Sequence, residues 1–251
     1  MAPGEGPPRL TPEEARHAST VLRLRPGDTI LGLDGRGKAW PLRIEKVQRT
    51  SVEVAEDGPP ESYPAPGAPG AATREVRLAF SMPTGSHLDG LIDRLTQIGV
   101  ARFVPFIAAR TPVRSRTSKP NLEQRLMRIA RSACKQSRRL WQPEIEPLRS
   151  LAEVLVDCQS DRCTFLDPDA GLTLADWCVA TPPNRAGEPA RTITLFAGPE
   201  GGFAPQEIEA FVSSLPPVQP AWLGPHILRI ETATEAAAAI ALQYCTHRRR
   251  D

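Results

Sequence analysis

Two short runs hold the residue types and spacing that chemistry needs. The first is Leu195-Phe196-Ala197-Gly198-Pro199-Glu200-Gly201-Gly202-Phe203, an apolar strand entering a turn with three glycines and a proline. A helix should open just beyond it, near Ala204-Pro205. Glycines let backbone N–H and C=O groups approach a ligand closely, at the strand end where α/β sheets bind ligands. Glu200 is a poor neighbour for a phosphate, and no G-x-x-x-x-G-K is present, which disfavours a nucleotide phosphate loop. A carboxylate suits a cationic ligand or an amino group instead. Taken alone, the run also fits an ordinary tight turn. The second run is Trp222-Leu223-Gly224-Pro225-His226-Ile227-Leu228-Arg229-Ile230-Glu231-Thr232, again a strand, a glycine–proline turn and an apolar pair, then an arginine. Arg229 reads either as a site cation or as a salt-bridge partner of Glu231 or Glu235.

Charge adds a third feature. The formal net charge is only +2, yet residues 102–139 hold eleven basic residues against the single acid Glu123, a local +10. Most are arginines, which suit bidentate phosphate contact and base stacking better than lysines. On a helical wheel over 122–136, Leu122, Leu126, Ile129, Ala130 and Ala133 share one face. Arg125, Arg128, Arg131 and Lys135 share the opposite face, and extending the helix adds Arg138 and Arg139 to it. A solvated surface helix ordinarily mixes acids among its bases to avoid self-repulsion. This face has none, which favours an anionic partner, with structured RNA the best fit.

Composition narrows the class. The five cysteines are scattered without a C-x-x-C pair and the four histidines are isolated, so reduced thiols and no metal site are expected. No apolar run reaches a bilayer-spanning length and no signal-peptide layout is present, so a cytoplasmic protein is expected.

These residues must be positioned by the elements around them. Thr11-Pro12-Glu13-Glu14 is a capping box that should start a helix ending before Pro26-Gly27. Strands are expected at 29–33, 39–46 and 51–55, with a turn at Asp34-Gly35-Arg36-Gly37. The Pro/Gly-rich run 57–73 carries no periodicity and reads as a linker, giving domains 1–73 and 74–251. Beyond it, strands at 76–81, 103–107, 164–166, 192–197 and 219–222 alternate with helices at 88–98, 122–136, 174–177, 205–215 and 232–244. That alternation predicts an α/β domain with a mainly parallel sheet. Thr232-Ala233-Thr234-Glu235 should cap the last helix, whose many alanines suit a tight core or a subunit interface.

The pair "LFAGPEGGF" and "LGPHILRIETATEAA" resembles the C-terminal signature blocks of the ribosomal RNA small subunit methyltransferase E family. "RHASTVLRLRPGD" with "LDGRG" is similar to that family's N-terminal PUA-like module. "LIDRLTQIGVARFVPFIAART" and "RIARSACKQSRRLWQPEI" are similar to its middle blocks. Gln97, Lys135 and Arg138 depart from the usual pattern.

The resemblance implies a SPOUT domain with a deep trefoil knot, and methyl transfer from S-adenosyl-L-methionine to N3 of a uridine in 16S rRNA. It implies a homodimer that acts on the small ribosomal subunit. Carried over, Gly198, Glu200, Gly201, Leu223, Gly224, Ile227 and Leu228 hold the cofactor, with Leu166 in the remaining knot loop. Arg229 would stabilise a developing uridinate, and Glu200 and Glu231, or water, are the candidate bases. Arg23 of the PUA-like block joins Arg125, Arg128, Arg131, Lys135, Arg138 and Arg139 as the expected RNA contacts. The alternatives are another knotted enzyme acting on ribose 2′-OH or transfer RNA, and a non-catalytic RNA-binding factor.

Overall fold

A computed structural model describes residues 10–48, 51–71, 74–83, 87–116, 121–158, 162–180 and 192–245. The chain divides into two compact units, Met1–Ala65 and Pro66–Asp251. In the first, Thr11 caps helix α1 (Pro12–Arg16): its hydroxyl accepts from Glu14 N, while the Glu14 carboxylate accepts from Thr11 N. The helix continues as a single π-helical turn, His17–Val21. Strands β1 (Thr29–Leu33), β2 (Lys38–Val47), β3 (Val52–Glu56) and β4 (Glu61–Ser62) form one antiparallel sheet around β2. Its β1–β2 turn closes because the Asp34 carboxylate accepts from Arg36 N at 2.7 Å and from Lys38 N at 3.0 Å. Trp40, Leu42 and Ile44 of β2 are buried.

The linker expected at 57–73 is corrected in part. β3 covers only Leu42–Val47 of the longer β2, which leaves Lys38 and Ala39 for β4 to pair with. Open backbone groups on a sheet edge draw in the next extended segment, whatever its composition.

The second unit is a seven-stranded sheet in which every pairing is parallel. Its strands are β5 (Glu75–Ser81), β6 (Arg102–Ile107), β7 (Glu144–Ile145), β8 (Arg149–Ser150), β9 (Arg162–Leu166), β10 (Thr192–Ala197) and β11 (Gln219–Ala221). They run in the order β11-β9-β10-β5-β6-β7, with β8 also on β6. Helices are α2 (His87–Ile98), α3 (Leu122–Ser137), α4 (Leu151–Asp157), α5 (Leu174–Val179), α6 (Pro205–Ser213) and α7 (Ile230–Cys245).

The central strands read as continuous apolar runs because both faces of the sheet are covered. Val76, Leu78, Phe80, Ile193 and Leu195 belong to one core with Leu91, Leu95, Leu126 and Trp177. Ala79, Val104, Phe106, Phe165 and Phe196 belong to the other with Phe203, Phe211 and Val154. The second core is a run of ring contacts, among them Phe165 on Phe211 at 4.6 Å and Phe203 on Phe211 at 4.9 Å between centroids.

Two helix ends and one whole helix depart from the sequence reading in ways that matter here. α3 does not extend: Arg138 adopts φ +55 and turns the chain, so Arg139 leaves the basic face and donates to Thr96 O at 2.9 Å. α7 begins at Ile230, so Thr232 lies inside the helix and caps nothing, while the Thr234 hydroxyl bonds back to Ile230 O. α4, with β7 and β8, fills a stretch left without elements, and α4 starts on a true capping box of Ser150 and Glu153. Of the alanines of α7, Ala237, Ala238 and Ala241 pack in the core of this chain, whereas Ala239 is exposed.

Candidate active site

Strand register brings the two glycine runs together. Ala221 of β11 lies level with Leu166 of β9, and Phe196 of β10 level with the preceding Phe165. Three adjacent parallel strands therefore release their loops at one height on one edge of the sheet. Hydrogen bonds lace the β9 and β11 loops: Asp167 N donates to Ala221 O, Trp222 N to Leu172 O, and Leu174 N to Trp222 O, each at 3.0 Å. Leu166, Gly198, Glu200, Gly201, Leu223 and Gly224 thus occupy neighbouring loops. Ile227 and Leu228 follow directly, exposed apolar residues of the kind that await a partner surface.

The β10 loop is a tight turn in which Gly202, at φ +72, donates its N–H to Pro199 O at 2.8 Å. Among the described residues the N–H groups of Glu200 and Gly201 have no partner. A Cβ on Gly198 would fall 2.9 Å from the Phe203 ring, so this glycine is demanded by packing. Gly224 differs: at φ +151, no atom lies within 4 Å of where its Cβ would be, leaving open space beside the loop.

Charged groups line the same edge. Glu200 and Arg229 are exposed, and among the described residues no side chain pairs with Arg229. The salt bridges considered for it do not form, because both acids are engaged elsewhere. Glu231 lies 3.0 Å from His87 Nδ1, and Glu235 lies 2.6 Å from Arg94 Nε.

The loop after β6 completes the edge, and sequence reasoning passed over it. The buried Thr111 hydroxyl bonds the buried Ser81 hydroxyl and accepts from Ala108 N, both at 2.8 Å. The Arg116 guanidinium donates to Thr111 O and Ala109 O. Arg110 donates to Gly201 O at 2.6 Å, and Glu207 accepts from both Ala109 N and Ala204 N. Arg110 had registered only as one charge in a basic tally. Glu207, three residues after Ala204, carried a half capping-box signal.

On α3, Arg128, Arg131 and Lys135 are exposed, as is Arg138 just past its end, whereas Arg125 lies 3.1 Å from Asp89. Arg139 is placed away from them, and its burial pushes its guanidinium pKa down. Arg23, in the first unit, is exposed at φ +52.

Comparison with known proteins agrees with this architecture. A family described as RNA methyltransferase domain matches residues 71–242, and one described as RNA methyltransferase PUA domain matches residues 10–57. The ribosomal RNA small subunit methyltransferase E of Synechocystis is 29% identical over 92% of this chain and 71% of its own length. That of Bacillus subtilis is 27% identical over 93% and 89%. Among solved structures, the Neisseria gonorrhoeae enzyme of that name, bound to S-adenosyl methionine, matches with a TM-score of 0.73. It is 27% identical, over 93% of this chain and 90% of that one. A Legionella pneumophila methyltransferase in complex with the same cofactor matches with a TM-score of 0.74 at 26% identity, over 95% and 94%. Similar to proteins named ribosomal RNA small subunit methyltransferase E, the chain belongs to the RNA methyltransferase family, with a PUA domain ahead of its methyltransferase domain.

Proposed function

We propose that this protein transfers a methyl group from S-adenosyl-L-methionine to N3 of a uridine in 16S rRNA of the small ribosomal subunit. The carrying observation is the meeting of three glycine- and leucine-bearing loops at the carboxyl edge of β9, β10 and β11, in a chain whose relatives carry that name. The residues present fit the cofactor. Gly224 leaves open space, the Glu200 and Gly201 N–H groups are unspent among the described residues, and Leu166 and Leu223 offer apolar surface for an adenosine. Glu200 supplies negative charge for a ligand that carries an amino group and a sulfonium.

When bound, the cofactor supplies an already activated methyl group, so the protein's task is alignment and charge control. Uridine N3 holds a proton and becomes nucleophilic as that proton leaves. Arg229, exposed and without a side-chain partner among the described residues, would stabilise the negative charge that develops on the uracil oxygens. Glu231 is held by His87, which leaves Glu200 or water as the simpler base. The PUA domain and the exposed cations of α3 would hold the RNA. The working unit in this reading is a cytoplasmic homodimer whose C-terminal domain is threaded as a trefoil knot.

Mass spectrometry of ribosomal RNA nucleosides, with and without the gene, tests the reading. Loss of N3-methyluridine is expected. Unchanged N3-methyluridine with loss of a ribose-methylated nucleoside would overturn it.

A further inference from the structure

Arg110 spends its charge in an unusual place. Among the described residues, its guanidinium meets no carboxylate and has a single partner, the carbonyl of Gly201, a residue 91 positions away. Its stem runs beneath the same glycine, since a Cβ on Gly201 would lie 3.4 Å from Arg110 Cδ and 3.8 Å from its Cβ.

The peptide unit joining Gly201 to Gly202 is therefore bonded at both ends. Its carbonyl accepts from Arg110, and its N–H donates to Pro199 O. A turn with adjacent glycines otherwise has wide conformational freedom, all of which must be surrendered when it grips a ligand. Fixing that one peptide restrains the two before it, and so aims the N–H groups of Gly201 and Glu200, which have no partner among the described residues.

The base from which Arg110 reaches is itself immobilised. Thr111 is anchored to Ser81 and Ala108, Arg116 holds the carbonyls on either side of Arg110, and Glu207 ties Ala109 to the start of α6. A loop this heavily braced, ending in a lone charged donor on the glycine turn, serves to set that turn.

We infer that Arg110 is a positioning residue for the cofactor: through the Gly201 carbonyl it pre-forms the glycine turn that receives S-adenosylmethionine. The inference rests on the function proposed above.

Arg110→Ala and Arg110→Lys are the informative variants, read by calorimetric cofactor affinity, amide exchange at Gly202, thermal melting, and single-turnover methylation at saturating cofactor. Arg110→Ala should weaken affinity about ten- to a hundredfold, the worth of one hydrogen bond to a charged group. Exchange at Gly202 should accelerate, while the rate at saturation stays within about threefold. Arg110→Lys, whose ammonium still reaches a carbonyl, should recover part of the affinity. Should the alanine variant fail to fold, the lysine variant and its exchange rates decide. Unchanged affinity in a folded alanine variant would overturn the inference. So would a collapse of rate with affinity intact, which would assign Arg110 to the RNA or the chemistry. If the wild-type protein binds no S-adenosylmethionine, the proposed function fails instead, and exchange at Gly202 still tests the brace.

Discussion

Gly198, Gly201 and Gly224 all belong to the loops proposed to hold the cofactor, yet a side chain at each meets a different obstacle. At Gly198 it strikes the Phe203 ring, so Gly198→Val should lower stability by about 1–3 kcal/mol, seen as a lower melting temperature. At Gly224 it meets nothing but must adopt φ +151, and at Gly201 it crowds only the Arg110 stem. Gly224→Val and Gly201→Val should therefore stay folded while calorimetry finds cofactor binding abolished; unchanged affinity in both would remove these residues from the site. In the proposed mechanism Arg229 serves the chemistry and not cofactor binding. Arg229→Ala should reduce turnover about 10²- to 10³-fold with cofactor affinity intact, the usual cost of removing one donor to a developing anion. Loss of affinity in step with rate would place Arg229 on the cofactor instead. The glycines and Arg229 stood out in the sequence as candidates because their types are distinctive within an apolar strand-turn-helix pattern. Arg110 was not, because its meaning lies in an acceptor 91 residues away.

At the scale of elements, α3 shows what periodicity captures and where it stops. The 3.6-residue period separated its apolar and basic faces, and Leu126, Ala130 and Ala133 are indeed buried. It could not show that Arg138 would adopt φ +55, which sends Arg139 to Thr96 O. The two arginine positions should respond oppositely. Arg128→Glu with Arg131→Glu should weaken RNA binding and flatten its salt dependence by about two phosphate contacts, leaving cofactor affinity unchanged. Arg139→Ala should instead cost about 1–3 kcal/mol of stability, with RNA affinity measured by titration unaltered. Strands buried on both faces announced themselves as apolar runs, whereas β7 and β8, two residues each, hold no period to detect. The start of α7 was misplaced because Thr232 and Glu235 have the spacing of a cap, while Glu235 actually pairs with Arg94 of α2. Tertiary pairing there overrides a local motif.

For the whole molecule, the basic helix face, the PUA domain and the glycine loops make different demands on a substrate. Phosphate contacts supply affinity without reading sequence, so a minimal uridine-containing hairpin would engage only part of the surface. Binding energy from contacts remote from the reacting base is what aligns that base in the transition state, so a truncated substrate loses turnover as well as affinity. Assembly state bears on the same point. Ala237, Ala238 and Ala241 of α7 are buried in its own core, while Ala239 is exposed and Ile227, 90% exposed after the second glycine loop, is an apolar residue in need of cover. Light scattering at micromolar concentration should accordingly give twice the 27.3 kDa of one chain. Small subunits lacking the modification should be methylated far faster than the free hairpin, with N3-methyluridine as the product and a rate that falls steeply with salt. Arg128→Glu with Arg131→Glu should erase most of the preference for the subunit while sparing the slow hairpin reaction. A hairpin methylated as fast as the subunit would show that the remote surfaces contribute nothing to alignment, and a 2′-O-methylated product would assign the chemistry to the ribose.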